Sequence, residues 1–380
     1  MPSTAIDRRR SLGWLAALLA APLLAPLGAQ AAPRPLFLSA RGDGQGRYFV
    51  SGFDRDGRPA FDLALPGRGH AVVPRPGPPH SQGQAVVFAR RPGGFALVLD
   101  LEAGRVLQRL DSAEGRHFYG HGVFSQDGRT LFSSENAYET GRGVIGIRDA
   151  TDGYRRLGEY PSYETGPHDL RLLGDGKTLV VANGGILTHP ESGRAKLNLP
   201  EMSPSLAYLD LADGRLRADY RLPAEHRRLS IRHLVVGPDD QVAIALQYEG
   251  PRSDLPPLVA LHRGQDAIAL LAAPEPVQRR MRNYCGSLAL DSAGEVLAVS
   301  SPRGGLITFW ALGEGRFLGS TALPDGCGVA PAAAPGTFLL TSGRGDRAVF
   351  DVARETVSPI AAGFGPGVQW DNHLTAWPRI

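Results

Sequence analysis

Seven residues able to ligate a metal recur along the 380-residue chain at the spacing of a structural repeat. They are His70, His121, His168, His233, Cys285, Cys327 and His373, separated by 51, 47, 65, 52, 42 and 46 residues. Each opens a short apolar run, as in GRGHAVV, YGHGVFS, GPHDLRL and DNHLTAW. Imidazole suits zinc, copper and iron, and thiolate favours zinc and copper(I). If the repeat closes into a ring, the seven side chains meet at one level on its axis as a crown of ligands. Asp169, directly after His168, and Asp371, two before His373, would then orient imidazoles from behind.

Intervals of this size are the period of a four-stranded propeller blade with its loops. The blade beginning at His121 is the clearest. His121–Ser125 reads as its inner strand, followed by Thr130–Ser134, Gly143–Arg148 and Arg156–Tyr160. Asp127-Gly128 supplies the positive φ that the first hairpin needs, and turns of the same kind recur at Asp175-Gly176, Asp239-Asp240 and Asp291–Gly294. The third strand also repeats its ending on Asp, at Asp54, Asp100, Asp149, Asp210 and Asp351.

The two ends of the chain complete each other. His373 opens an inner strand that nothing follows. Near the N-terminus, Pro35–Arg41, Arg47–Phe53 and Ala60–Leu65 are three strands with no inner strand before them. Joined, they make a seventh blade without an open edge. The expected fold is therefore all-β, a seven-bladed propeller spanning residues 32–380 and closed by the N-terminal strands pairing with the C-terminal one. Leu38 and Trp377 should share a sheet.

Residues 1–31 read as a cleavable export signal: Arg8–Arg10, an apolar run broken by Pro22 and Pro26, and an Ala29-Gln30-Ala31 exit. Arg9-Arg10-Ser11-Leu12 fits the twin-arginine pattern, which would let the protein fold around a cofactor before export to the periplasm. Without the signal's three Arg and one Asp, 38 basic residues face 37 acidic ones, a formal charge of +1. That balance argues against nucleic acid as a partner, and no segment suits stable membrane insertion. The excess of Arg over Lys reads as genome base composition rather than a binding patch.

Other uses of the ring positions compete with metal binding. In WD-type propellers a Gly-His pair at this loop is a structural hydrogen-bonding group, and Gly69-His70 and Gly120-His121 match it, with the third-strand Asp residues as acceptors. Cys285 and Cys327, the two cysteines, would form a disulfide if oxidised. Cys at two ring positions favours ligands, because a thiol does not replace imidazole as a hydrogen-bonding bridge. The insertion from Asn183 to Asn198 reads as a rim or lid, with Thr188-His189-Pro190 a surface turn. His80 and His117 read as solvated, and Glu135, Asn136 and Asn183 as lying towards the outer end of their sheets. Serine-hydrolase elbows, zinc-protease helices and phosphate loops are missing.

The strings SSENAYETGRGVIGI, GPHDLRLL, VVANGGILTHPESGRAKLN, MSPSLAYLD, LSIRHLVV, GSLALDSAGEVLAVSSPRGG and WDNHL resemble a bacterial family of exported, propeller-like proteins of unknown function. Its members are often encoded beside imelysin-like and other iron-associated proteins. The resemblance implies a periplasmic setting tied to iron or another metal, with periplasmic or outer-membrane iron-uptake proteins as partners. It assigns no activity and no residues. The expected function is binding of a transition metal, iron or copper ahead of zinc, at the crown. A non-catalytic scaffold and a lactonase- or quinoprotein-like enzyme are the alternatives. Against lactonases stands the His-rich crown, where they use a carboxylate-rich calcium site.

Overall fold

The computed structural model describes residues 37–377 apart from 78–82, 92, 265 and 362. The expected signal peptide and His80 lie outside these. The described residues form seven four-stranded antiparallel sheets. Blade 1 holds Gly69–Pro74, Gln84–Ala89, Phe95–Asp100 and Arg105–Asp111, from the axis outwards. Blade 2 holds Arg116–Phe124, Thr130–Ala137, Arg142–Asp149 and Arg155–Pro161, so its inner strand starts five residues before the expected one. The inner strands of blades 3 to 6 are Pro167–Leu172, Leu229–Val236, Ser287–Leu290 and Gly326–Pro331. Each inner strand touches the inner strands on both sides, so the seven close into a ring around a central axis.

Blade 7 is built from both ends of the described chain. Its inner strand is Gln369–Ala376, which pairs with Phe37–Gly42, and Tyr48–Phe53 and Pro59–Leu65 follow outwards. Phe37 stands opposite Ala376 and Leu38 opposite Thr375. Trp377, just beyond the strand, packs against the apolar cluster that contains Leu38.

Burial explains why the strands read as they do. Middle strands such as Ala85–Ala89 and Leu179–Ala182 are fully buried, because neighbouring blades cover both faces. Their sequences are accordingly continuous apolar runs. Outer strands such as Arg155–Pro161 and Leu216–Tyr220 have one wet face and alternate between exposed and half-buried. The apolar core lies between blades: Leu38 and Val50 of blade 7 pack with Val87 and Leu97 of blade 1. Among the described residues no helix is long and apolar enough to cross a membrane.

Removing the strand that closes the ring tests its importance. A chain ending at Val368 leaves Phe37–Gly42 as an open edge. We expect it to lose cooperative thermal unfolding and to elute as oligomers on size exclusion; a monomer that melts like the full chain would contradict the closure.

Candidate metal centre

In an antiparallel blade, the start of the inner strand and the loop between the second and third strands share one face of the ring. The seven marker residues enter from that face. In six blades the pairing between the two innermost strands shifts register at or beside the marker: around His70, His121, His168, His233, Cys327 and His373. Such a bulge re-aims a side chain that regular pleating would direct elsewhere. Cys285 lies before its strand begins.

Five imidazoles converge on the axis. Ring centroids lie 4.4 Å apart for His70 and His373, 4.8 Å for His70 and His121, and 4.7 Å for His168 and His233. His121 is central, within 5.4 Å of the other four. Two trios, His70–His121–His168 and His121–His233–His373, each offer ligand atoms within 4.8 Å of one another. Gly120 allows this approach: its φ is +108°, and a Cβ there would stand 2.7 Å from His70 Cδ2.

The hydrogen bonds fix part of the proton arrangement. His70 donates Nδ1–H to Asp371 Oδ1 at 2.8 Å, which leaves its Nε2 as a lone-pair acceptor. Burial alone would raise the Asp371 pKa, but Arg90, His70 and Arg68 hold it well below the ordinary carboxylate range. Arg68 Nε and Arg90 donate to its other oxygen at 2.7 and 3.3 Å. His373 Nε2 faces His121 Nε2 at 3.0 Å and His70 Nε2 at 3.2 Å, and its Nδ1 meets Ser287 Oγ at 3.4 Å. One proton cannot serve both Nε2 contacts well. Nδ1 of His121 and Nδ1 of His233 are buried with no partner.

Electrostatics keep this cluster neutral. Burial lowers the pKa of all five histidines, and for His121, His168, His233 and His373 nearby positive charge lowers it well below 6.5. Neutral imidazole is the form that binds a metal. Two contacts, from His373 Nε2 to His121 Nε2 and to His70 Nε2, also fit a shared ion. Two metal–nitrogen bonds of about 2.1 Å at tetrahedral or octahedral angles hold their nitrogens about 3.0–3.4 Å apart.

The remaining sequence expectations fare differently. Both cysteines are free and buried away from the two histidine trios. Cys285 Sγ lies 3.5 Å from Leu258 O, and Cys327 Sγ 3.5 Å from Thr341 O and Trp370 O. A thiol is short and apolar enough to pack between blades, and burial pushes both up to about 12. Asp169 does not sit behind His168; it accepts from Leu170 N, Leu234 N and Arg171, tying blade 3 to blade 4. The third-strand Asp residues are not acceptors for histidine. Asp54, Asp100, Asp149, Asp210 and Asp351 accept backbone N–H groups of the turns that follow them. His117 is buried rather than solvated, between Phe118 O at 3.0 Å and Asn136 at 3.2 Å. Thr188 is not a surface residue either, since Tyr119 and Asn136 bond to it. Glu135 is enclosed by Arg148 and Arg156 and takes no part in the crown. Arg68, Arg90 and Ser287 escaped the sequence reading; the signal available was Arg68 two residues before His70.

A family model described as "Protein of unknown function (DUF1513)" matches residues 63–377, a span that includes all seven markers. The chain belongs to the DUF1513 family. No curated protein matches it in sequence. Among solved structures, hydrazine synthase of Kuenenia stuttgartiensis is similar, with a TM-score of 0.57 and 15% identity over 88% of this chain and 97% of that one. Likeness at that identity is one of fold alone. The crown of this DUF1513 protein must be read from its own residues.

Two measurements test this geometry. Unfolded histidines take up protons near 6.5, whereas the folded crown does so only at lower pH. The unfolded state thus binds more protons below that value, and stability, complete above it, falls as pH drops, by about 1.4 kcal/mol per group per pH unit. In chelator-treated protein the melting temperature should fall steadily from pH 7 to pH 5, and less steeply in His121→Gln/His168→Gln. Separately, a disulfide-exchange reagent should modify Cys285 and Cys327 only after unfolding; fast reaction of the native protein would contradict their burial.

Proposed function

We propose that this protein binds one transition-metal ion at the axial crown, through imidazoles of His70, His121, His168, His233 and His373. The observation that carries the reading is that the cluster does not satisfy itself. Nδ1 of His121 and Nδ1 of His233 are buried without a partner, and the half-buried ring of His168 makes no hydrogen bond among the described residues. Buried polar atoms without partners are expensive. A structural role would give each imidazole an acceptor, and only His70 has a carboxylate. A metal ion would instead use the lone pairs that burial and mutual repulsion keep free of protons. Strands from five blades hold the rings, so little ordering remains to be done on binding.

All-nitrogen donors suit iron, copper and zinc alike, and an uptake or redox role would put iron or copper ahead of zinc. The reading places the protein in the periplasm, in an iron- or copper-related pathway, with uptake proteins of that compartment as partners. Its support there is the export-like N-terminus and the family resemblance. Cys285 and Cys327, committed to the core, are left out of the ligand set.

Elemental analysis of protein purified without a histidine tag tests the proposal. We expect about one iron, copper or zinc per chain, falling below about a tenth in a folded His121→Ala/His168→Ala variant. Cys285→Ser and Cys327→Ser should keep the metal. Metal-free protein that ferrous, cupric and zinc ions all fail to reconstitute would overturn the reading, as would equal metal in the double variant.

A further inference from the structure

Above the crown, on the face where the inner strands begin, the channel mouth is lined by arginines. Arg68 precedes the inner strand of blade 1, and Arg90 and Arg91 follow its second strand. Arg232 directly precedes His233 in blade 4. Arg194 belongs to the long insertion of blade 3, between Thr178–Asn183 and Ser205–Asp210. That insertion carries its charge across the mouth, for Arg194 feels Arg90, Arg91 and Arg68 of blade 1 and Tyr284 of blade 5. Tyr284 and Tyr119 stand among the guanidinium groups.

The counter-charges do not match. Asp371 is saturated by Arg68, Arg90, His70 and the backbone N–H of Asn372. Glu249 is ion-paired with Lys196 and acts on Arg232 only at longer range, without a hydrogen bond or ion pair to it. Among the described residues the guanidinium groups of Arg91, Arg194 and Arg232 have no hydrogen bond and no ion pair, and Arg232 Nε is buried without a partner. Arginines on a surface ordinarily find carboxylates, as Arg217 finds Asp210 and Arg354 finds Asp351 in this chain. Convergent guanidinium forks without carboxylates are the arrangement that receives an oxyanion, each fork matching two of its oxygens.

We propose that the channel mouth binds a small oxyanion of two or more negative charges, a phosphate or a polycarboxylate, through Arg91, Arg194 and Arg232. Tyr119 and Tyr284 flank it, and the clamp of Arg68 and Arg90 on Asp371 forms the floor. Directly above the histidines, such an anion stands where it could also reach a crown metal, but its binding does not depend on one. The inference goes beyond the metal reading and is tested without it.

The experiment uses full-length protein stripped of metal with chelator and dialysed to low ionic strength. Citrate and inorganic phosphate are titrated by calorimetry and by thermal shift, with chloride at matched ionic strength as the control. Citrate, phosphate or both should bind and raise the melting temperature beyond the chloride effect, and the better of the two identifies the oxyanion class. Arg232→Gln and Arg194→Gln should each weaken binding by about tenfold or more, as expected for loss of a charge-assisted fork, while the exposed control Arg354→Gln leaves it unchanged. Should Arg232→Gln fold poorly, Arg194→Gln, on an exposed stretch, decides. An anion effect no larger than that of chloride, or variants that bind like the parent, would overturn the proposal. Because no metal is present, neither result bears on the metal content of the crown.

Discussion

The ring is closed by backbone hydrogen bonds between Gln369–Ala376 and Phe37–Gly42, and the position of every side chain on the axis depends on that pairing. Seven sheets packed face to face leave a narrow tube, and each inner strand must present something to it. Apolar residues serve the contacts between blades, so polar side chains at the strand entrances are left to the tube. Register shifts at those entrances then turn them inwards. The crown is thus a product of closure and bulging together, which local propensity alone would not build.

Burial and charge act on the crown in opposite senses at two levels. Five imidazoles deprived of water stay neutral, because each proton added would meet both desolvation and the other rings. On the adjoining side, at the channel mouth, arginines remain charged and are only partly matched by carboxylates. Asp371 links the levels: its one oxygen fixes a histidine tautomer, and its other oxygen collects two guanidinium groups. Removing that carboxylate would free both arginines and release the His70 ring together.

Much of this could be read from the chain alone, for identifiable reasons. The repeat was legible because turn chemistry, third-strand Asp residues and markers kept one phase, and the seventh blade followed from strands missing at both ends. Convergence of the five histidines followed from the ring. The fate of the cysteines did not, because spacing says which strand a residue opens but not which way a bulge turns it. Cys327 turns into the apolar contact with Trp370 rather than to the axis. The burial of His117 and Thr188 was hidden because their partner Asn136 lies in another part of the sequence. The excess of arginine reads as compositional background, yet Arg68 and Arg232 flank markers within two residues, a pattern a mere excess would not need.

The histidine that bridges the crown comes from the last strand of the described chain, while its partner His70 comes from near the beginning. During synthesis His70, His121, His168 and His233 emerge early, yet they have no common axis until residues 369–376 arrive and seal the circle. A chain lacking those residues has four of the five imidazoles but neither His373 nor the strand that closes the circle. The crown is therefore a property of the closed ring, complete only where both ends of the described chain have met.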